Sequence, residues 1–136
     1  DAIEIYNSVI QDYSTVFVYG RSIGTGAASH LALKMNSSRL ILETPYYSLP
    51  DLVSYIYPVI PSILVRYNLD NASNLSKINV PIHLIHGTED EIIPYDSSVR
   101  LEKISDNISL HTLQGGYHND LPFHKGYKDI LKGILE

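Results

Sequence analysis

A pentapeptide of the form Gly-x-Ser-x-Gly, Gly20-Arg21-Ser22-Ile23-Gly24, constrains this chain more than any other feature. It stands between an apolar run, Thr15-Val16-Phe17-Val18-Tyr19, and a helix-like stretch from Thr25 to Met35. Alone the pattern is weak, because Gly and Ser are common residues. At a strand-to-helix junction it marks a sharp reversal with the serine at its tip, a candidate nucleophile elbow. The two glycines are expected to remove Cβ atoms that would collide in the turn. A helix N-terminus directly behind Ser22 favours negative charge developing there.

The rest of the chain alternates in the same way. Ala2, Ile3, Tyr6, Val9, Ile10 and Tyr13 recur at three- and four-residue steps and predict an amphipathic helix over 2–13, with Asp1 as N-cap. The unbroken apolar run 15–19 predicts a strand buried on both faces, as in a parallel sheet. Ala27, Ala28, Leu31, Ala32 and Met35 predict a helix that packs closely on that sheet. Further strands are predicted at Arg39–Glu43, closed by Thr44-Pro45, at Val80–His86, ending at Gly87, and at Ile108–Leu113. A helix capped by Asp96 or Ser97 runs to Ile104, and a final helix spans Tyr127–Leu135. Residues 46–78 break the alternation, with Pro50, Pro58, Pro61 and Tyr46, Tyr47, Tyr55, Tyr57 and Tyr67. They read as a cap or lid insertion of short proline-broken helices, Asp51–Tyr57 and Ser62–Tyr67, over the end of the sheet. The fold class is α/β: a parallel sheet of about four strands flanked by helices, in one domain over 1–136.

Composition narrows the function. The net charge of −5, with no basic block, speaks against nucleic-acid binding, which needs clustered Lys and Arg. The absence of cysteine rules out disulfides, thiolate metal sites and a Cys nucleophile. No apolar run approaches the roughly 20 residues that span a bilayer, and no signal peptide is recognisable. The Ile- and Asn-rich, Cys-free composition suggests a cytoplasmic protein. The chain opens at Asp1 without Met, in what reads as mid-domain, so the native N-terminus is expected upstream.

Serine attack needs a base to take the hydroxyl proton and an acid to orient that base. In α/β sheets such groups gather at the carboxyl ends of strands. Ser22 ends the first strand, Asp90 follows the third in His86-Gly87-Thr88-Glu89-Asp90, and His118 follows the fourth in Gly115-Gly116-Tyr117-His118. Each has a plainer reading: Ser22 as a turn residue, Asp90 as the cap of the Glu91–Ile93 turn, His118 as a surface loop histidine. Three such residues at successive strand ends are harder to explain that way. His124 rivals His118 as base, and Glu43, ending the second strand, rivals Asp90 as acid. Glu89 and Glu91 are expected to point elsewhere. His83 and His111 read as packing or surface positions, His30 as a helix residue, and His86 as shaping the turn before Gly87. No two histidines share a helix face with a carboxylate at ligand spacing, so neither metal nor cofactor is expected.

The stretches "VFVYGRSIGTGAASHLAL", "ILETPYYSLPDLV", "PIHLIHGTEDEIIPY" and "GGYHNDL" resemble the C-terminal half of the α/β-hydrolase fold serine hydrolases. The likeness covers essentially the whole chain. It is nearest the branch of esterases, thioesterases and dipeptidyl-peptidase-like enzymes that includes the α/β-hydrolase domain-containing 13 and 17 groups. The resemblance implies Ser22 as nucleophile, Asp90 as acid, His118 as base and the backbone N–H of Ile23 as one oxyanion-hole donor. It implies hydrolysis of an ester, thioester or amide through an acyl-enzyme, on a small-molecule or acyl substrate. The tyrosines and aliphatic residues of 46–78 would line an acyl pocket or simply cover the sheet. Arg21 would hold a substrate carboxylate or pair with Glu43. A full member has about eight strands, and these look like the last four. On that resemblance, the loop bearing the second oxyanion donor, typically worth about 3 kcal/mol, would fall outside this sequence. An incomplete domain would leave 15–19 as an apolar edge strand and invite a homodimer along it. The alternative function is a non-catalytic binding domain or an inactive fragment of the same fold.

Overall fold

The computed structural model describes residues 2–59 and 69–136. Among these, the order is α1 (Ala2–Val9), β1 (Phe17–Arg21), α2 (Gly24–Lys34), β2 (Arg39–Glu43), α3 (Leu49–Ile56), α4 (Asn71–Leu75), β3 (Ile82–Gly87), α5 (Tyr95–Glu102), β4 (Ile108–Leu113), a 3-10 turn (Leu121–Phe123) and α6 (Tyr127–Leu135). The four strands form one parallel sheet in the order β1-β2-β3-β4. Their carboxyl ends therefore share one edge.

Strand order and a constant crossover hand put α2, α4 and α5 on the same face. There Val18, Leu40, Leu42, Ile82, Leu84 and Ile108 pack with Ala28 and Ala32 of α2, Leu75 of α4 and Leu101 of α5. The small residues of α2 let that helix lie close to the sheet, as the sequence predicts. The other face is covered by α6, whose Tyr127 and Ile134 pack with Ile41, Ile85, Leu113 and Leu121. Tyr46, Leu52 and Ile93 form a third buried cluster at the carboxyl edge.

Several expectations shift. β1 begins at Phe17, where β2 first offers a partner in Arg39, and it runs into the pentapeptide through Gly20 and Arg21. It is not buried on both faces: Val18 and Gly20 lie under α2, whereas Tyr19 is 49% exposed on the opposite side. α1 stops at Val9, because Tyr6 is its one buried side chain and Tyr13 stays in solvent, leaving nothing to extend the helix for. Asp1 and the helix expected at Ser62–Tyr67 lie outside the described residues. α5 starts at Tyr95 after Pro94, with no side-chain cap, so neither Asp96 nor Ser97 caps it; Ser97 is buried instead. The short α4, unforeseen in the sequence, is capped by Asp70, whose Oδ1 accepts from the Ser73 amide at 2.9 Å. No helix among the described residues is long and apolar enough to cross a membrane.

Candidate active site

Ser22 sits at the carboxyl end of β1 with φ of 52°, a left-handed conformation that costs a non-glycine residue about 1–2 kcal/mol. Its neighbours fix it there. Its amide donates to the Glu43 carbonyl at 2.9 Å, and its carbonyl accepts from the Thr25 amide and, at 2.7 Å, from the Thr25 hydroxyl. Thr25 Oγ1 in turn accepts from the buried Asn71 at 3.0 Å, which ties the reversal to α4. Of the two motif glycines, Gly20 is needed for space: a Cβ on it would meet Ala28 Cβ at 2.5 Å and the Gly24 carbonyl oxygen at 2.9 Å. Gly24 departs from expectation, since a Cβ there meets nothing within 4 Å. Its side lies open, so it relieves no collision among the described residues.

Asp90 follows β3. Its side chain is fully buried, and both oxygens are occupied. Oδ1 accepts from the amides of Ile92 at 2.9 Å and Ile93 at 2.8 Å, the turn-capping role foreseen as its plainer reading. Oδ2 faces His118 Nδ1 at 2.7 Å and His86 Nε2 at 3.1 Å. Burial alone would push this carboxyl up. The hydrogen bonds from His86, the Ile93 and Ile92 amides and His118 outweigh it and hold Asp90 at about 2, so it is an anion near neutral pH.

His118 is 4% exposed and spans the gap between the two, with Nδ1 on Asp90 and Nε2 at 3.0 Å from Ser22 Oγ. The anionic Asp90 can only accept, which places the proton on Nδ1 and leaves the Nε2 lone pair facing the Ser22 hydroxyl. The backbone of His118 is held from both sides. Its amide donates to Glu91 at 3.2 Å, and its carbonyl accepts from Arg21 at 2.8 Å. Glu91 therefore does not point elsewhere, because the turn that Asp90 caps brings it under the His118 loop.

Arg21 is the hub of a second network. Its Nε pairs with Glu43 Oε1 at 3.0 Å, and it also reaches Asn119 Oδ1 at 3.1 Å. Glu43 is fully buried, and its Oε2 accepts from Tyr19 at 2.6 Å and Tyr127 at 2.7 Å. Burial first, then these bonds to Glu43, push the Tyr127 phenol up to about 12 and raise that of Tyr19 as well. Glu43 thus braces β1, β2 and α6 and makes no hydrogen bond to His118. His124, the rival base, faces the Gln114 and Lys125 carbonyls at 2.8 and 2.7 Å, away from Ser22.

The Ile23 amide precedes the first turn of α2, where no carbonyl of that helix is available to it. No group of three or more His, Asp or Glu side chains suited to a metal occurs among the described residues. A cleft of about 440 Å³ between α3 and α5 is lined by Asp51, Tyr55, Asp96 and Arg100, not by Ser22, Asp90 or His118. Its cation is already spent, because Arg100 spans both oxygens of Asp51 at 3.1 Å. Sequence reasoning missed His86 as a partner of Asp90. Its signal was the four-residue spacing within His86-Gly87-Thr88-Glu89-Asp90.

Known proteins resemble this chain in sequence and in fold. Residues 2–129 match the model of an alpha/beta hydrolase domain family. Human alpha/beta hydrolase domain-containing protein 17B is 33% identical over 124 residues, covering 88% of this chain and 41% of that protein. Mouse protein 17C is 30% identical over 127 residues, covering 88% and 37%. The chain thus spans about two-fifths of the length of the curated relatives it matches. In three dimensions it superposes on an acylaminoacyl peptidase of Pyrococcus horikoshii with TM-score 0.75 and 15% identity, covering 97% of this chain and 25% of that one. An esterase of Exiguobacterium antarcticum aligns with TM-score 0.70 and 17% identity, covering 98% and 72%. These two likenesses concern the fold, and together with the family match and the curated relatives they lead to one conclusion: the chain belongs to the alpha/beta hydrolase domain family.

Proposed function

We propose that this chain carries the nucleophile, base and acid of a serine hydrolase that cleaves ester, thioester or amide bonds. The observation that supports it is the continuous line from Ser22 Oγ through His118 to Asp90, with contacts of 3.0 and 2.7 Å. Ser22 Oγ attacks the substrate carbonyl carbon while its proton passes to His118 Nε2. Asp90 stabilises the imidazolium that forms and keeps the ring in place. The carbonyl oxygen becomes an oxyanion, and the Ile23 amide donates to it. Collapse of the tetrahedral species breaks the bond to the leaving group, which takes the proton from His118. Water then enters, His118 takes its proton, and hydrolysis of the acyl-serine releases the acid and restores Ser22.

The left-handed backbone at Ser22 fits this reading, since strain collects where a side chain must be held clear of the chain. Tyr55, Ile56, Tyr57 and Val59 of the insertion are exposed and apolar, as an acyl substrate would require of a binding surface, whereas Tyr46 and Leu52 are committed to packing. A fluorophosphonate probe tests the proposal on the native protein. Labelling is expected with wild type and not with Ser22→Ala. An unlabelled wild type, or labelling that survives the substitution, refutes it and favours a binding role for the fold.

A further inference from the structure

Two histidines, not one, converge on the same oxygen of Asp90. His118 Nδ1 lies 2.7 Å and His86 Nε2 3.1 Å from Oδ2, while Oδ1 is taken by two backbone amides. A carboxylate offers about four acceptor positions, and here all are filled. His86 is fully buried at the end of β3 and makes no contact with Ser22 that would give it a share in the proton transfer itself. Its orientation is nevertheless tightly specified. Nε2 faces two acceptors, Asp90 Oδ2 and the Ile93 carbonyl at 3.1 Å, so that nitrogen must carry the proton. Nδ1 is then left as an acceptor, and the buried Ser98 hydroxyl of α5 meets it at 2.7 Å. The opposite tautomer would set a lone pair against an anionic oxygen.

Resting on the serine hydrolase reading, we propose that His86 is a positioning residue for the reaction. With its tautomer set by the two acceptors at Nε2 and its ring held by Ser98, it donates to Asp90 Oδ2 and so fixes the carboxylate against which His118 is aligned. The chain of contacts then runs Ser98, His86, Asp90, His118, Ser22. The His86 donor, together with the two amides and His118, keeps Asp90 ionised in its buried setting. As the proton moves from Ser22 to His118, the oxygen that must answer the new positive charge is already oriented and cannot turn away.

The test is kcat and KM for p-nitrophenyl butyrate, measured on the native protein. His86→Leu, which removes the donor, is expected to lower kcat roughly 10- to 100-fold with KM within about twofold of wild type, the size of effect expected from losing a supporting hydrogen bond. His86→Gln puts an amide N–H where Nε2–H was and is expected to return kcat to within about fivefold of wild type. Ser98→Ala should lower kcat alone but cost nothing further in a His86→Gln background, because Ser98 acts only through the imidazole. Equal impairment in the Leu and Gln variants, or a full Ser98→Ala effect on the Gln background, overturns the proposal in favour of a purely structural histidine. If His86→Leu does not fold, the Ser98 and Gln cycle decides alone. Unaltered kcat in His86→Leu while Ser22→Ala is inactive overturns this inference only. Activity that persists in Ser22→Ala overturns the hydrolase reading beneath it.

Discussion

The two glycines of the pentapeptide should respond to alanine in opposite directions. At Gly20 the new Cβ would stand 2.5 Å from Ala28 Cβ, 2.9 Å from the Gly24 carbonyl oxygen and 3.0 Å from Thr25 Cα. Carbon atoms pack comfortably at about 3.5–4.0 Å, so roughly 1 Å must be found. Two of the three obstacles are backbone, and Ala28 is itself locked in the core, so no rotamer change relieves the overlap; β1 and α2 must separate. Overpacking of this kind costs about 1–3 kcal/mol. The displacement falls on the segment that carries Ser22, and a misplacement near 1 Å is worth roughly 100-fold in rate. At Gly24 no atom lies within 4 Å and the backbone is not left-handed, so alanine fits without strain. There it mainly restricts the unfolded chain and should stabilise by about 0.4–1 kcal/mol. Urea unfolding followed by circular dichroism reads both effects. With a slope of about 2 kcal/mol/M, Gly20→Ala should lower the midpoint by about 1 M and Gly24→Ala should raise it slightly. Equal midpoints for the two variants, or loss of stability at Gly24 alone, would refute the steric argument.

Three further outcomes follow from the networks around the site. Glu43→Gln keeps the volume but cannot accept from Tyr19, Tyr127 and Arg21 together; it should cost about 2 kcal/mol, a figure held down because the Arg21 side chain is 38% exposed and can turn to water. The same variant should let Tyr127 ionise below its value of about 12, read by ultraviolet titration. Asp90 titrates at about 2 when folded against an ordinary value of 3.8, so its contribution, about 2 kcal/mol, is present in full above pH 3.8 and lost as pH falls towards 2. Urea midpoints between pH 5 and 2 should fall accordingly, and Asp90→Asn should flatten that slope. Arg21→Met frees the His118 carbonyl and Asn119 and should slow fluorophosphonate labelling roughly tenfold, with unchanged labelling counting against a role for that strut.

Much of the fold was legible because each strand is a short apolar run closed by a glycine, a proline or a loop. β2 and β4 fall where the sequence places them, since both are bounded by polar residues on each side. β1 slid by two residues because register is set by its partner, and Phe17 opposite Arg39 is a fact of pairing, not of composition. α4 was hidden because five residues carry no helical period; its existence depends on Asp70 and on contacts that Asn71 makes with α2. At the site, strand-end placement brought Ser22, Asp90 and His118 to one edge, and the structure joins them by hydrogen bonds. His86 and Glu91 were read without their partners, because the four-residue spacing of His86 and Asp90 gives nearness but not direction, and the His118 amide reaches Glu91 from a distant loop. Gly24 was misread because the motif suggests two crowded glycines and only the geometry separates them.

The hydrogen bond between Ser22 and His118 joins residues 96 positions apart, and that between His118 and Asp90 spans 28. During synthesis the serine leaves the ribosome long before the imidazole exists, and until β4 has paired with β3 its hydroxyl is an ordinary alcohol. Contacts this distant in sequence form late, after the cost of closing the intervening chain has been met. A nascent chain stalled before residue 118 should therefore be inert towards a serine-directed reagent even with its first strands folded. On the proposed reading, reactivity at Ser22 is in effect a clock that starts when β4 docks, and a nearly finished molecule would be held inert in the meantime.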